Sequence, residues 1–219
     1  MRRSQQQEMM DFPDNPKEVL DEDLRNLRTF NRYLGGYRSV LHGLDRLVGR
    51  GKLSRFSLLD VGTGSGDIPT RITHWAQQRG IKASIVALEP EPVTARVAAM
   101  LTQKQTNPPF IPVSQRLPFA VIPAKAGIQC ENEGHSRRCE ISVVRGDGNA
   151  PPFRSASFDF VLASQLLHHF SEEKIVAQLR SWSRLARRAI IVSDLVRHPM
   201  AYYGIWLLTR LSTRNVMTL

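Results

Sequence analysis

Apolar residues recur along this chain with two different periods, and the switch between the periods orders its elements. Leu20, Leu24, Leu27 and Phe30 fall three or four apart with charges between them, which predicts an amphipathic helix from Lys17 onward. Residues 1–15 are polar and read as a frayed start, with Pro13 and Pro16 close to the helix entry. Gly35-Gly36 breaks the pattern, and a second helix runs through Val40, Leu41, Leu44, Leu47 and Val48 to Gly49 and Gly51. Both helices precede the first strand. They are expected to cover one end of a sheet, as a helical cap over 1–52 ahead of a main domain over 53–219.

Short apolar runs then alternate with helical stretches. Phe56 to Val61 predicts a buried strand, Ile68 to Arg79 a helix closed by Gly80, Ala83 to Leu88 a second strand, and Val93 to Gln103 a second helix. Strand, helix, strand, helix argues for an α/β fold, a parallel sheet with helices on both faces. Further on, Ile141 to Val144 and Phe158 to Ala163 predict two more strands. Glu172 to Leu185 predicts a helix, and Ala189 to Ser193 a fifth strand that ends at Asp194. Met200 to Leu211 is apolar and aromatic and reads as a last helix.

One stretch breaks this rhythm. Residues 107–140 hold five prolines (Pro108, Pro109, Pro112, Pro118, Pro123) and keep no period. Within it, Val121-Ile122-Pro123-Ala124-Lys125-Ala126-Gly127-Ile128-Gln129 resembles the translated form of a repetitive bacterial DNA element found inside many unrelated reading frames. The stretch is therefore expected to be an irregular insertion; the alternative is a lid over a site.

Composition narrows the class. At 219 residues the chain suits one hydrophobic core, and 42% apolar with 23% charged residues is ordinary for a globular protein. No window is apolar enough for a membrane span, and Met1-Arg2-Arg3 leads into no apolar stretch, so the cytoplasm is the expected location. Cys130 and Cys139 are expected to be free thiols, and with His135 alone nearby they fall short of a zinc site, so no metal is expected. The net charge of +10 admits a nucleic-acid partner, but the arginines are scattered from Arg2 to Arg214 with no dense basic run.

The densest chemistry follows the first strand. Asp60 ends it, and Gly62, Gly64 and Gly66 follow at alternate positions. A glycine-rich turn between strand and helix lets the backbone approach a ligand closely and aims helix amides at it. The dinucleotide fingerprint Gly-x-Gly-x-x-Gly/Ala would put its last small residue on Asp67, a bulky acid. The observed Asp-x-Gly-x-Gly-x-Gly resembles instead the cofactor motif of class I methyltransferases that use S-adenosyl-L-methionine (SAM). Glu89-Pro90 closes the second strand, and a carboxylate there can accept two ribose hydroxyls.

The resemblance implies a Rossmann-like sheet in the order 3-2-1-4-5 and SAM as cofactor. It implies that Asp60, Gly62, Thr63, Gly64 and Gly66 wrap the amino-acid end of SAM, with Glu89 and Pro90 at the ribose. Gly146-Asp147-Gly148 would sit at the adenine, and Ser164 and Gln165 at the end of the fourth strand complete the cofactor set. Asn31-Arg32-Tyr33-Leu34-Gly35-Gly36 is similar to a bacterial subgroup whose first helices close over the cofactor, so Arg32 is a further candidate contact. His168 and His169 are candidate general bases, against the alternative of packing or capping histidines.

Nucleic-acid amino-methyltransferases carry Asn or Asp-Pro-Pro-aromatic where this chain has Ser164-Gln165-Leu166-Leu167. The chain looks more like the small-molecule group that includes the ubiquinone and menaquinone C-methyltransferases. The expected partner is thus a small-molecule methyl acceptor rather than a nucleic acid. The sequence carries no signal of oligomeric state.

The resemblance covers about 20–106 and 141–211, with two departures. Glu89 and Asp147 lie 58 positions apart, where one helix and one strand need about 25 to 30 residues; the 107–140 stretch accounts for the excess. After Asp194 only 25 residues remain, where a crossover helix and two strands need about 45 to 60. The sixth and seventh strands of the family are therefore expected to be missing and the chain truncated at Leu219. Four readings stand: a working O- or C-methyltransferase, a non-catalytic remnant that still binds SAM, a nucleic-acid methyltransferase, and an NAD(P) oxidoreductase opposed by Asp67.

Overall fold

The computed structural model describes residues 17–33, 35–103 and 139–194. Helices α1 (Lys17–Tyr33) and α2 (Gly36–Arg50) lead into β1 (Arg55–Val61), α3 (Asp67–Gln78), β2 (Lys82–Glu89) and α4 (Pro92–Gln103). Then come β3 (Glu140–Arg145), β4 (Phe158–Ser164), a 3-10 turn at Leu167–His169, α5 (Glu172–Leu185) and β5 (Ala186–Ser193). The five strands form one parallel sheet in the order β3-β2-β1-β4-β5.

The inner strands β1, β2 and β4 are buried on both faces, which is why they read as continuous apolar runs rather than alternating ones. Leu58 and Leu59 are successive residues of β1, so they point to opposite faces, yet both are fully buried. On one face Val40 and Leu44 of α2 and Ile72 and Trp75 of α3 pack with Leu58 and Phe160. On the other, Leu59, Leu88 and Val161 lie beneath Trp182 and Leu185 of α5. The Trp182 indole also donates to the Gly148 carbonyl at 2.9 Å, which ties α5 to the loop after β3.

Three expectations need correcting. Helix α2 packs on a face of the sheet beside α3, not across its end, because its Val40, Leu44 and Val48 stripe joins the core shared with α3. Glu140, placed by the sequence in the irregular stretch, is the first residue of β3 and pairs with Ser84. Strand β5 starts at Ala186, directly after α5, rather than at Ala189. Its first residues include Arg187 and Arg188, whose polarity hid them; both guanidiniums reach Asp159 of β4 at 3.3 Å. Residues 104–138, including most of the expected insertion and Cys130, lie outside the described residues, as does the apolar segment expected at 200–211.

Leu58 is fully enclosed, so Leu58→Ala leaves a cavity between helices and sheet. It should lower unfolding free energy by about 2–5 kcal/mol, read from urea denaturation midpoints.

Candidate active site at the carboxyl edge of the sheet

Ligands of open parallel sheets sit at the carboxyl ends of the strands, and the unusual backbone of this chain gathers there. Gly62, Gly64 and Gly66 all adopt left-handed conformations, with φ of 68°, 56° and 73°. A side chain at each would be strained, and at Gly66 it would also meet Thr102 Cγ2 at 3.0 Å. At Gly64 a Cβ would meet nothing within 4 Å, so that part of the loop faces open space.

Two carboxyl groups are buried beside this loop. Asp60 is 2% exposed and accepts from the Thr63 hydroxyl at 2.6 Å. Burial pushes its pKa from 3.8 to about 7; the Thr63 bond opposes this, and the nearby Asp67 and Glu89 charges add to it. Glu89, 7% exposed, accepts from Gly64 N–H at 2.9 Å through Oε2 and from Glu91 N–H at 3.2 Å through Oε1. Burial raises it from 4.5 to about 7 against those two bonds. Glu91 instead caps α4 through bonds from Val93 N–H and Thr94 N–H.

Asp67 opens α3 and collects donors from three elements. Its Oδ1 accepts from Ser65 Oγ at 2.8 Å, and its Oδ2 from the Tyr37 hydroxyl at 2.8 Å and from Asn31 Nδ2 at 3.2 Å. Asn31 Oδ1 in turn accepts from Gln165 Nε2 at 2.7 Å. Burial, with the Asp67 carboxylate beside it, keeps the Tyr37 hydroxyl protonated far above the ordinary tyrosine range. The network joins α1, α2, the glycine loop and the end of β4.

The remaining strand ends add further groups. Asp147 is exposed after β3 and accepts from Asn149 N–H at 2.8 Å and Nδ2 at 2.6 Å. Gly146 and Gly148 flank it where a Cβ would meet Leu88 Cδ1 at 2.8 Å and Val61 Cγ1 at 2.7 Å. Ser164 ends β4 with a buried hydroxyl that has no hydrogen-bond partner among the described residues. Gln165 follows with φ of 52° and its N–H on the Ser193 carbonyl at 2.8 Å. His168 and His169 stack with ring centroids 4.2 Å apart, and His168 Nδ1 lies 2.7 Å from Asp194 Oδ1.

A different depression, about 460 Å³, opens near the amino ends of β1 and β2 between Trp75, Arg79, Asp45 and Lys52. It lies at the wrong edge of a parallel sheet for the ligand site and holds none of these groups.

Residues 59–189 match the model of a methyltransferase domain. The chain belongs to that methyltransferase family. A protein of Methanococcus maripaludis described as an SAM-dependent methyltransferase has the same fold, at a TM-score of 0.52 and 13% identity over 91% of this chain and 75% of its own. The PH0226 protein of Pyrococcus horikoshii is similar at a TM-score of 0.50 and 15% identity, over 80% of this chain and 61% of its own. No curated protein sequence matches the chain. The fold is the Rossmann-like one expected, and the family implies SAM as cofactor.

The methyltransferase domain thus brings Asp60, Thr63, the three glycines, Glu89 and Gln165 to one edge, with Asp147, Ser164 and His168 on adjoining strand ends. Pro90 is exposed just past β2, and its carbonyl lies 3.5 Å from Arg145 Nε. Arg32 is exposed on α1, its guanidinium 5.7 Å from the Tyr33 ring centroid; the neighbouring Asn31 is the residue that reaches the loop. Helical spacing carried that signal, because Asn31 lies seven residues after the buried Leu24 and shares its face, while Arg32 is turned about 100° away. Sequence reasoning also missed Tyr37 and Asp194. Among the described residues no cluster of His, Cys, Asp and Glu could hold a metal ion, and no helix is long and apolar enough to cross a membrane.

The buried carboxyls make stability depend on pH. Their folded pKa values of about 7 exceed the ordinary 3.8 and 4.5, so the folded state holds protons that the unfolded chain releases. Their contribution is complete below about pH 4 and is lost as the pH rises through 7. Urea unfolding at pH 5 and pH 8 should show a loss at the higher pH that Asp60→Asn reduces. Asn31→Ala removes the link between Gln165 and Asp67 and should cost about 1–3 kcal/mol, with faster hydrogen exchange in α1.

Proposed function

We propose that this chain transfers a methyl group from SAM to a small-molecule acceptor, at oxygen or carbon. The observation that carries the reading is the pair of buried carboxyls, Asp60 and Glu89, on either side of a left-handed glycine loop. A cofactor with a cationic amino-acid end and a ribose diol suits that pair. Asp60 takes the ammonium group, and the remaining lone pairs of Glu89 accept the ribose hydroxyls. Gly64 leaves the loop free of a Cβ where it faces open space, and Gly62 and Gly66 let it pack against Leu166 and Thr102. Asp147 meets the adenine amino group, and the unpartnered Ser164 hydroxyl offers one more polar contact.

SAM supplies an electrophilic methyl on a sulfonium, with a neutral thioether as leaving group. Much of the rate then comes from holding an acceptor in line. The end of β4, Ser164-Gln165-Leu166-Leu167, lacks the Asn- or Asp-Pro-Pro-aromatic motif of nucleic-acid amino-methyltransferases, which favours a small acceptor over a flipped base. His168, on the turn that follows, is the candidate base for an acceptor that loses a proton.

Calorimetric titration with S-adenosylhomocysteine tests the reading. Wild type should bind, and Glu89→Ala and Asp60→Ala should each weaken binding by about tenfold or more, the scale of a lost charged hydrogen bond. Affinity should rise between pH 6 and pH 8, because the ammonium group binds ionised Asp60 and displaces its proton. A folded wild-type chain that fails to bind at millimolar ligand sinks the proposal.

A further inference from the structure

The sequence marked His168 and left Asp194 as a mere strand end, yet the two meet across neighbouring strands. β4 and β5 are paired with Ser164 level with Ser193, and Gln165 N–H extends the ladder by donating to the Ser193 carbonyl. Asp194 therefore leaves β5 beside the turn that carries His168. Leu166 of this turn packs against Gly62, where a Cβ would meet Leu166 Cδ1 at 3.0 Å, so the turn lies against the glycine loop.

Asp194 grips His168 at two points. Oδ2 accepts from the His168 backbone N–H at 3.2 Å, and Oδ1 lies 2.7 Å from ring Nδ1. The side chains are only 20% and 18% exposed, which shelters the pair from bulk water. An ionised carboxylate can only accept, so the hydrogen of the short contact sits on Nδ1. In the neutral ring Nε2 then holds the lone pair, and the double grip fixes the direction in which it points.

We propose that Asp194 is a positioning residue that holds His168 as the Nδ1–H tautomer, with Nε2 as proton acceptor, and that the methyl acceptor is a hydroxyl compound methylated on oxygen. This rests on the methyltransferase reading above. Amine acceptors carry their own lone pair and need no base before attack, whereas a hydroxyl must lose a proton as its oxygen bonds. In the transfer the acceptor oxygen bonds the methyl carbon, and the carbon–sulfur bond breaks with its electron pair left on sulfur. The hydroxyl proton goes to His168 Nε2, giving an imidazolium stabilised by Asp194.

Nuclear magnetic resonance on the full chain with nitrogen-15 histidine reads the tautomer without any acceptor, His168 being assigned through His168→Gln. The expected wild-type state is Nδ1–H. Asp194→Asn should convert it to Nε2–H, since the amide can donate to Nδ1, and Asp194→Glu should retain Nδ1–H. With catechol and 4-nitrocatechol as probes, Asp194→Asn should lower kcat for O-methylation by about 10²–10⁴-fold. KM should stay within about threefold, the loss should be smaller for the more acidic 4-nitrocatechol, and S-adenosylhomocysteine affinity should be unchanged. An Nε2–H ring in wild type, an undiminished Asp194→Asn rate, or methylation confined to carbon or amine probes overturns the proposal. Failure to bind S-adenosylhomocysteine would instead remove the methyltransferase reading and leave the tautomer result standing.

Discussion

Two carboxyl groups buried at the carboxyl ends of adjacent parallel strands set the terms for the rest of this molecule. A carboxylate out of water is costly unless donors surround it. Among the described residues the donors are few: one hydroxyl from Thr63 to Asp60, and two backbone amides, from Gly64 and Glu91, to Glu89. The result is a pair of acids held at the edge of ionisation, each near 7. Such a pair is poor as a structural device and well suited to a ligand that brings its own cation and hydroxyls. The glycine loop belongs to the same arrangement: its left-handed turns at Gly62, Gly64 and Gly66 accompany the bond from the Gly64 amide to Glu89.

The first two helices are fastened to this arrangement rather than merely packed beside it. Asp67 is the common acceptor for Ser65, Tyr37 and Asn31, and Asn31 passes the connection on to Gln165. Any shift of α1 relative to the end of β4 therefore breaks the bond between Asn31 and Gln165. The cap and the loop hold their geometry together. Polar bonds of this kind are directional, so they specify one position of α1 more narrowly than apolar contact does.

Much of this was legible in the sequence, for reasons that differ by element. Strands buried on both faces read as unbroken apolar runs, so β1, β2 and β4 were found nearly to the residue. The start of β5 was not, because Arg187 and Arg188 face water and pair with Asp159. The loop was legible because a backbone demand for left-handed turns leaves only glycine as an answer. Contacts between distant side chains leave no such trace. Asn31 meets Gln165 across 134 positions and His168 meets Asp194 across 26, and no local pattern marks either pair. Asp67 shows the gap well: its bulk excluded a dinucleotide motif, while its role as the anchor of the cap needed the fold.

The net charge looks different once the site is placed. A chain at +10 invites a polyanionic partner. Yet the carboxyl edge of the sheet gathers four acids among the described residues, Asp60, Asp67, Glu89 and Asp147. On the reading proposed above, ionised Asp60 and Glu89 suit an ammonium and a diol better than a phosphate. Several arginines of the described surface are engaged elsewhere, Arg79 with Asp45 and the Trp75 ring and Arg187 and Arg188 with Asp159, while Arg71 lies over the Tyr37 ring beside Asp67. Global charge therefore bears on solubility and encounter, and the sign of the field inside the cleft decides which ligand can settle there.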